Sequence, residues 1–296
     1  MLTTKLKIYF NEAVIAFQKG EYDTAMRIYN EIAVLGHADA QFNLASMYSE
    51  GRGVAADLKE AARWYRLAAA QGNVAAQLHL GCLYGTMDNF EEALKWFRLP
   101  AVKGNADAQY AVGAIYYNGQ GTDQDYKKAL KWFQLAAAQG NATAQCQMGK
   151  LYSYGRGVVQ DIKDATKWYK LAAAQGDTDA MYELGEFSRE DTSAVRNLKE
   201  AIKWYQQAAA KGNIKAQFNL GKMYADGYGV PANSIVAYAL WTLAKTGQHN
   251  DHIMEGWTEL GAALSQDELN KAAALLCELA KPGNLIKALK QYTSGK

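Results

Sequence analysis

The sequence predicts an all-α protein, a solenoid of stacked helix-turn-helix units, and three observations predict it. Glycine followed by Asn, Asp or His recurs at 36–37, 72–73, 104–105, 140–141, 176–177 and 212–213, with Gly spacings of 36, 32, 36, 36 and 36. Tryptophan keeps the same beat: Trp64, Trp96, Trp132, Trp168, Trp204 and Trp241 follow one another at 32, 36, 36, 36 and 37 residues. The 296 residues hold only 3 Pro beside 26 Gly, so Ala-rich helices are expected with their glycines in turns. A fixed period of this length marks a repeat array in which each unit buries its apolar face against the next.

The unit beginning at Ala38 shows how each element arises. "ADAQFNLASMYSE" carries Ala40, Leu44, Met47 and Tyr48 on one helical face. "GRGVAAD" follows, and two glycines so close together end a helix and supply positive φ. "LKEAARWYRLAAAQ" then places Leu58, Ala61, Trp64, Tyr65 and Ala68 on one face, and Gly72 closes that helix. Gly81, Gly113, Gly149, Gly185 and Gly221 recur inside the first helix of later units. A mid-helix Gly costs about 1 kcal/mol against Ala, so a facing bulky group must need the space. The recurring Trp is the expected partner, and Trp132→Ala is expected to cost roughly 3–5 kcal/mol.

The pattern "AxAQxxLGxxYxxGxGxxxDxxxAxxWYxxAAxxGN" resembles the Sel1-like repeat, a bacterial relative of the tetratricopeptide repeat. Gln41, Gln77, Gln109, Gln145 and Gln217 stand at its Gln position, and Tyr48, Tyr84, Tyr116, Tyr152 and Tyr224 at its Tyr position. The resemblance implies a right-handed α-solenoid with six repeats at 38–73, 74–105, 106–141, 142–177, 178–213 and 214–250. Residues 1–37 resemble a tetratricopeptide-like N-terminal repeat or cap, and 251–296 resemble C-terminal capping helices, with a capping-box spacing at Ser265 and Glu268. Two units depart from the pattern. The unit at 74–105 lacks the Gly-x-Gly insert, and the unit at 178–213 replaces Gln by Met181 and Tyr by Ser188. Pro100 is expected to kink the second helix of its unit and change the curvature near 96–105.

In such repeats the first helix lines the concave groove, so the resemblance assigns groove columns to this chain. One column holds Phe42, Tyr110, Tyr182 and Phe218, read as aromatic anchors or as packing between helices. Tyr117, Lys150, Glu186 and Lys222 fall in neighbouring columns, and Asn43 and Asn219 flank the aromatics with amides able to bond a peptide backbone. The implied function is a non-catalytic interaction scaffold or adaptor binding a partner protein or peptide. A toxin-immunity or signalling-regulatory binder is the alternative. A hydrolase like the cysteine-rich β-lactamase-like relatives is a third reading, although those carry a Cys pair in each unit and this chain has three Cys in all.

Composition bounds the rest. With 32 Lys and Arg against 30 Asp and Glu, the net charge of +2 gives no reason to expect nucleic acid or an anionic membrane. Cys82, Cys146 and Cys277 are odd in number and widely spaced, which argues against a disulfide framework. No leader pattern is read at the N-terminus and no run reaches the roughly 18 apolar residues of a membrane span. A cytoplasmic location is therefore expected. His249, Asp251 and His252 have metal-ligand spacing but read as exposed polar residues after a helix end. His79 near Cys82 lacks an orienting group, and the Gly-x-Gly loops lack the strand and Lys of a phosphate cradle. No catalytic residue, metal, cofactor or small-molecule ligand is expected.

Overall fold

The computed structural model describes the backbone of residues 2–190, 197–245 and 251–294, and side chains over 5–189, 197–245 and 256–294. Seventeen helices and no strand lie among the described residues. They fall into two compact units, Met1–Asn141 and Ala142–Lys296.

The first unit contains α1 (Leu2–Gln18), α2 (Tyr22–Ala33), α3 (Ala38–Glu50), α4 (Leu58–Ala70), α5 (Val74–Thr86), α6 (Phe90–Val102), α7 (Ala106–Asn118) and α8 (Tyr126–Ala138). The second contains α9 (Ala142–Tyr154), α10 (Ile162–Ala174), α11 (Thr178–Glu190), α12 (Leu198–Ala210), α13 (Ile214–Asp226), α14 (Ser234–Lys245), α15 (Asp251–Ala263), α16 (Gln266–Leu279) and α17 (Leu285–Ser294). Within each unit, successive helices pack on one another as stacked hairpins. The last helix, α17, docks back on α12, and its Leu285 and Leu289 join the buried cluster of the second unit.

Local chemistry sets the ends of the hairpins. Asp57, Asn89, Asp125, Asp161 and Asn197 cap the second helix of their hairpins through side-chain oxygens. Gly51, Gly119 and Gly227 end the first helix at φ of 68°, 69° and 68°. The second glycine of the loop has a different task. A Cβ on Gly53, Gly121 or Gly229 would stand 2.7–2.8 Å from the start of the preceding hairpin's second helix, so the loop must pass as bare backbone there. The expected capping box forms, with Glu268 N–H donating to Ser265 Oγ and Ser265 N–H to Glu268. Pro100 does not end its helix. It is buried in the last turn of α6, which keeps the 13 residues of α4 and α8, and the Pro100 carbonyl still accepts from Lys103 and Asn105.

The partner of the mid-helix glycine is not the tryptophan but the residue after it. Cβ atoms built on Gly81, Gly113, Gly149 and Gly185 would lie 2.6–2.7 Å from the rings of Phe97, Phe133, Tyr169 and Tyr205. Those rings are buried, Tyr169 and Tyr205 at 0% exposure. Trp64 is buried, whereas Trp96, Trp132, Trp168 and Trp204 are only partly buried, and Trp96 and Trp132 lie against the core of the preceding helices. The tryptophan thus joins one hairpin to the next, while the following Phe or Tyr locks the hairpin itself. Trp241 is the exception that the 37-residue step announces. It has moved one position into the locking slot against Gly221, donates to the Phe218 carbonyl at 3.0 Å, and leaves Leu240 in the tryptophan position.

A second lock is polar. Gln41, Gln77, Gln109 and Gln217 are buried, and each donates through Nε2 to the carbonyl eight residues earlier at 3.0–3.1 Å. Gln71, Gln139 and Gln175 in turn donate to Gln41, Gln109 and Gln145 at 2.7–2.8 Å. Asn73 and Asn141 add a ladder on the rim by donating to Asp39 and Asp107 at 2.9 Å.

Candidate functional site

Each column aromatic rests on the locking ring of its own hairpin. Phe42 meets Tyr65 at 5.7 Å between centroids, Tyr110 meets Phe133 at 5.8 Å, Tyr182 meets Tyr205 at 6.1 Å and Phe218 meets Trp241 at 5.8 Å. All four column residues are half-buried. One face of each ring is therefore core packing, and the remaining edge is accessible.

In the first unit the predicted residues pack against their neighbours. Phe42 also meets His79 edge-on at 5.4 Å, and His79 stacks on Tyr65. Asn43 reaches the Tyr29 hydroxyl of the preceding hairpin, so its amide serves the stack rather than an open edge. Tyr117 packs edge-on against Tyr126 at 5.3 Å. Cys82 is exposed, and in the second unit Cys146 takes an aromatic's place as a buried thiol whose pKa burial pushes up.

The second unit behaves differently. Tyr182, Glu186, Phe218, Asn219 and Lys222 line one open cavity of about 410 Å³ between α11 and α13. Arg189, Met223, Asp226 and Tyr228 complete its lining. Lys150 stands apart, 3.6 Å from Asp179. Tyr182 and Phe218 make an aromatic floor, and Lys215 lies 5.8 Å from the Tyr182 ring centre. Burial first, and then the charges of Glu186 and Glu183, push the Tyr182 hydroxyl up to about 12, which keeps it a neutral donor across the ordinary pH range.

Glu186 and Asn219 line the cavity and are also bonded to one another within the fold. Asn219 Nδ2 donates to Glu186 Oε1 at 2.5 Å, the Tyr205 hydroxyl donates to the same oxygen, and Arg189 Nη2 holds the other at 2.7 Å. A largely buried carboxylate with three donors ties α11, α12 and α13 together and fixes the cavity wall. Lys222 and Asp226, both exposed, stand among the cavity's lining residues as its outward charges. Tyr228 was not anticipated. It is the middle residue of a Gly-x-Gly loop, and the corresponding residues Arg52, Gln120 and Arg156 are not aromatic.

Trp257 lies off the repeat register and packs in the C-terminal helices. It stacks on Tyr238 at 5.5 Å and donates to Thr242 at 2.9 Å, with Lys245 3.7 Å from its ring centre. The metal-spaced set His249, Asp251 and His252 lies outside the described side chains. Among the described residues no cluster of His, Cys, Asp and Glu is arranged to hold a metal, and no helix is long and apolar enough to cross a membrane.

Comparison with known proteins bears on the frame that builds this cavity. A protective antigen of uropathogenic Escherichia coli with a Sel1-like repeat fold superposes at a TM-score of 0.73 with 26% identity, over 99% of this chain and 66% of that protein. A Sel1 repeat protein of Oxalobacter formigenes superposes at 0.72 with 30% identity, over 81% of this chain and 100% of that one. No curated protein matches significantly. The model of the Sel1 repeat matches residues 38–73, 74–99, 106–141, 142–177, 178–213 and 214–249, well over half of the chain, which therefore belongs to the Sel1 repeat family.

Proposed function

We propose that this Sel1 repeat protein is a non-catalytic interaction module that holds a partner polypeptide on the face of its first helices, anchored at the cavity between α11 and α13. One observation carries the reading: four residues assigned to groove columns in two successive repeats, Tyr182, Glu186, Phe218 and Lys222, line a single open cavity together with the flanking Asn219. Its floor of Tyr182 and Phe218 buries apolar area at small entropic cost, a property of interface hot spots. The Glu186 network holds the wall in place before binding, so little ordering remains to oppose association. The partner chemistry this suits is a segment with one large apolar or aromatic side chain, flanked by charges that meet Lys222 and Asp226.

The test is site-specific photo-cross-linking in native lysate. A cross-linking residue at Lys222 is expected to trap one partner, and the same residue at exposed Lys19 is not. Tyr182→Ala/Phe218→Ala, checked for intact helicity, is expected to abolish the adduct. Equal adducts from both positions, or an adduct untouched by the double substitution, would show that the cavity is not the binding site.

A further inference from the structure

The small net charge conceals a partition between layers. In the first unit the first helices of three successive repeats, α3, α5 and α7, carry three acidic residues and no Lys or Arg. The second helices of the same repeats, α4, α6 and α8, carry eight Lys or Arg against three Glu. The cations lie on the exposed face, including Arg63, Arg66, Lys95, Arg98 and Lys131, with Arg63 paired to Glu60 at 3.3 Å and Lys95 to Glu92 at 2.7 Å in solvent-exposed bridges.

That face is also apolar in a fixed register. Leu67, Leu99 and Leu135 are 43%, 45% and 50% exposed, large values for leucine. Each follows a cation by four residues, as Arg63–Leu67, Lys95–Leu99 and Lys131–Leu135, so cation and leucine share one helical face. A row of cations therefore runs beside a row of leucines, one helical turn further along each helix. In the second unit α10 repeats the pairing as Lys167–Leu171, and α12 ends it at Lys203–Gln207.

The inner columns vary from repeat to repeat, which suits a partner of specific sequence. The outer rows repeat the same chemistry, which suits a partner that is itself uniform along its length. Anionic charge is required by the cations, and an apolar layer close to that charge is required by the leucines. A soluble polyanion supplies only the first. We infer that the outer face of α4, α6 and α8 is a peripheral docking surface for an anionic lipid bilayer, with Arg and Lys at the headgroups and the leucines at the acyl boundary.

The experiment is co-sedimentation of the full chain with vesicles of equal parts phosphatidylglycerol and phosphatidylcholine, against vesicles of phosphatidylcholine alone. The chain is expected to sediment with the anionic vesicles only, and added salt is expected to release it. Leu67→Ser/Leu99→Ser/Leu135→Ser and, separately, Arg63→Glu/Arg98→Glu/Lys131→Glu are each expected to lower partitioning by about tenfold or more. All six positions are exposed, and unchanged thermal melts confirm that the variants fold. Failure to sediment with anionic vesicles overturns the inference. So does full binding by the leucine variant, or equally tight binding to poly-glutamate, either of which would make this a simple cationic face for an acidic protein.

Discussion

The repeats at 74–105 and 178–213 both lack the Gly-x-Gly loop, and they part from the common pattern in opposite directions. The first shortens its connection, turning through Asp88 at φ 56°, and keeps the Gln77 bond to the Ala69 carbonyl. The second keeps its length and gives up the glutamine, placing buried Met181 there. Both keep a glycine under a buried ring, Gly81 beneath Phe97 and Gly185 beneath Tyr205. The hairpin is therefore defined by the ring seated on the glycine, and the loop and the glutamine are adjustable around it. The repeat that gave up its glutamine is also the one that contributes Tyr182 and Glu186 to the cavity.

The comparison breaks most directly at the ring. Phe133→Ala is expected to cost about 3–5 kcal/mol, because it empties a fully packed site. Trp132→Ala, at a partly buried site, is expected to cost about 1–2 kcal/mol. Urea melts of the two variants decide the order. A tryptophan variant as damaged as the phenylalanine variant would return the lock to tryptophan.

The glycine side of the pair gives the next effect. A Cβ on Gly149 would lie 2.6 Å from Tyr169, inside any normal contact. Helix propensity favours Ala by about 1 kcal/mol, but displacing a buried ring costs about 1–3 kcal/mol and is expected to win. Gly149→Ala should therefore lower the urea midpoint. Gly149→Ala combined with Tyr169→Leu should recover part of that loss, whereas a purely conformational role for the glycine predicts no recovery.

The glutamine contributes less. Gln109→Met, which imitates position 181, is expected to cost about 1 kcal/mol, the net value of a typical hydrogen bond. The cost stays small because the Ala101 carbonyl also accepts from the Gly104 N–H, so the substitution leaves it one donor. A loss as large as that of Phe133→Ala in the same melts would make the polar bond an equal lock.

Period and glycine placement made the hairpins and their order readable, because 36-residue spacing and turn chemistry are local signals. Which of two adjacent aromatics faces inward was not readable from size, since Trp132 and Phe133 are both bulky. The clue was the odd step to Trp241, which fits only if the locking column lies one residue on. Column logic gathered Tyr182, Glu186, Phe218 and Lys222, with Asn219 beside them, because stacking turns repeat position into proximity. Column position gave no sign that Glu186 also bonds Tyr205 of α12 and Asn219 of α13, since those contacts cross helices, whereas its pairing with Arg189 three residues on is a spacing the sequence does show. It missed Tyr228 because the flanking glycines made that loop read as connection alone.

The smallest effect separates the two unusual repeats. Gln41, Gln109 and Gln145 each receive a second glutamine at their side-chain oxygen, from Gln71, Gln139 and Gln175. In the short repeat the donor's place at the helix end is taken by Lys103, and Gln77 Oε1 is buried without a hydrogen-bond partner. An unmet buried acceptor costs more than an ordinary bond yields, so supplying its donor should stabilise the fold. Lys103→Gln is expected to raise stability by about 0.5–1 kcal/mol, read as a shift in urea midpoint. The same change at Lys211, which holds that place in the repeat where Met181 replaces the glutamine and offers no amide, is expected to leave the midpoint where it is. Equal shifts at both positions would assign the gain to the helix end itself, and the glutamine pair would then be a consequence of the stack rather than one of its bonds.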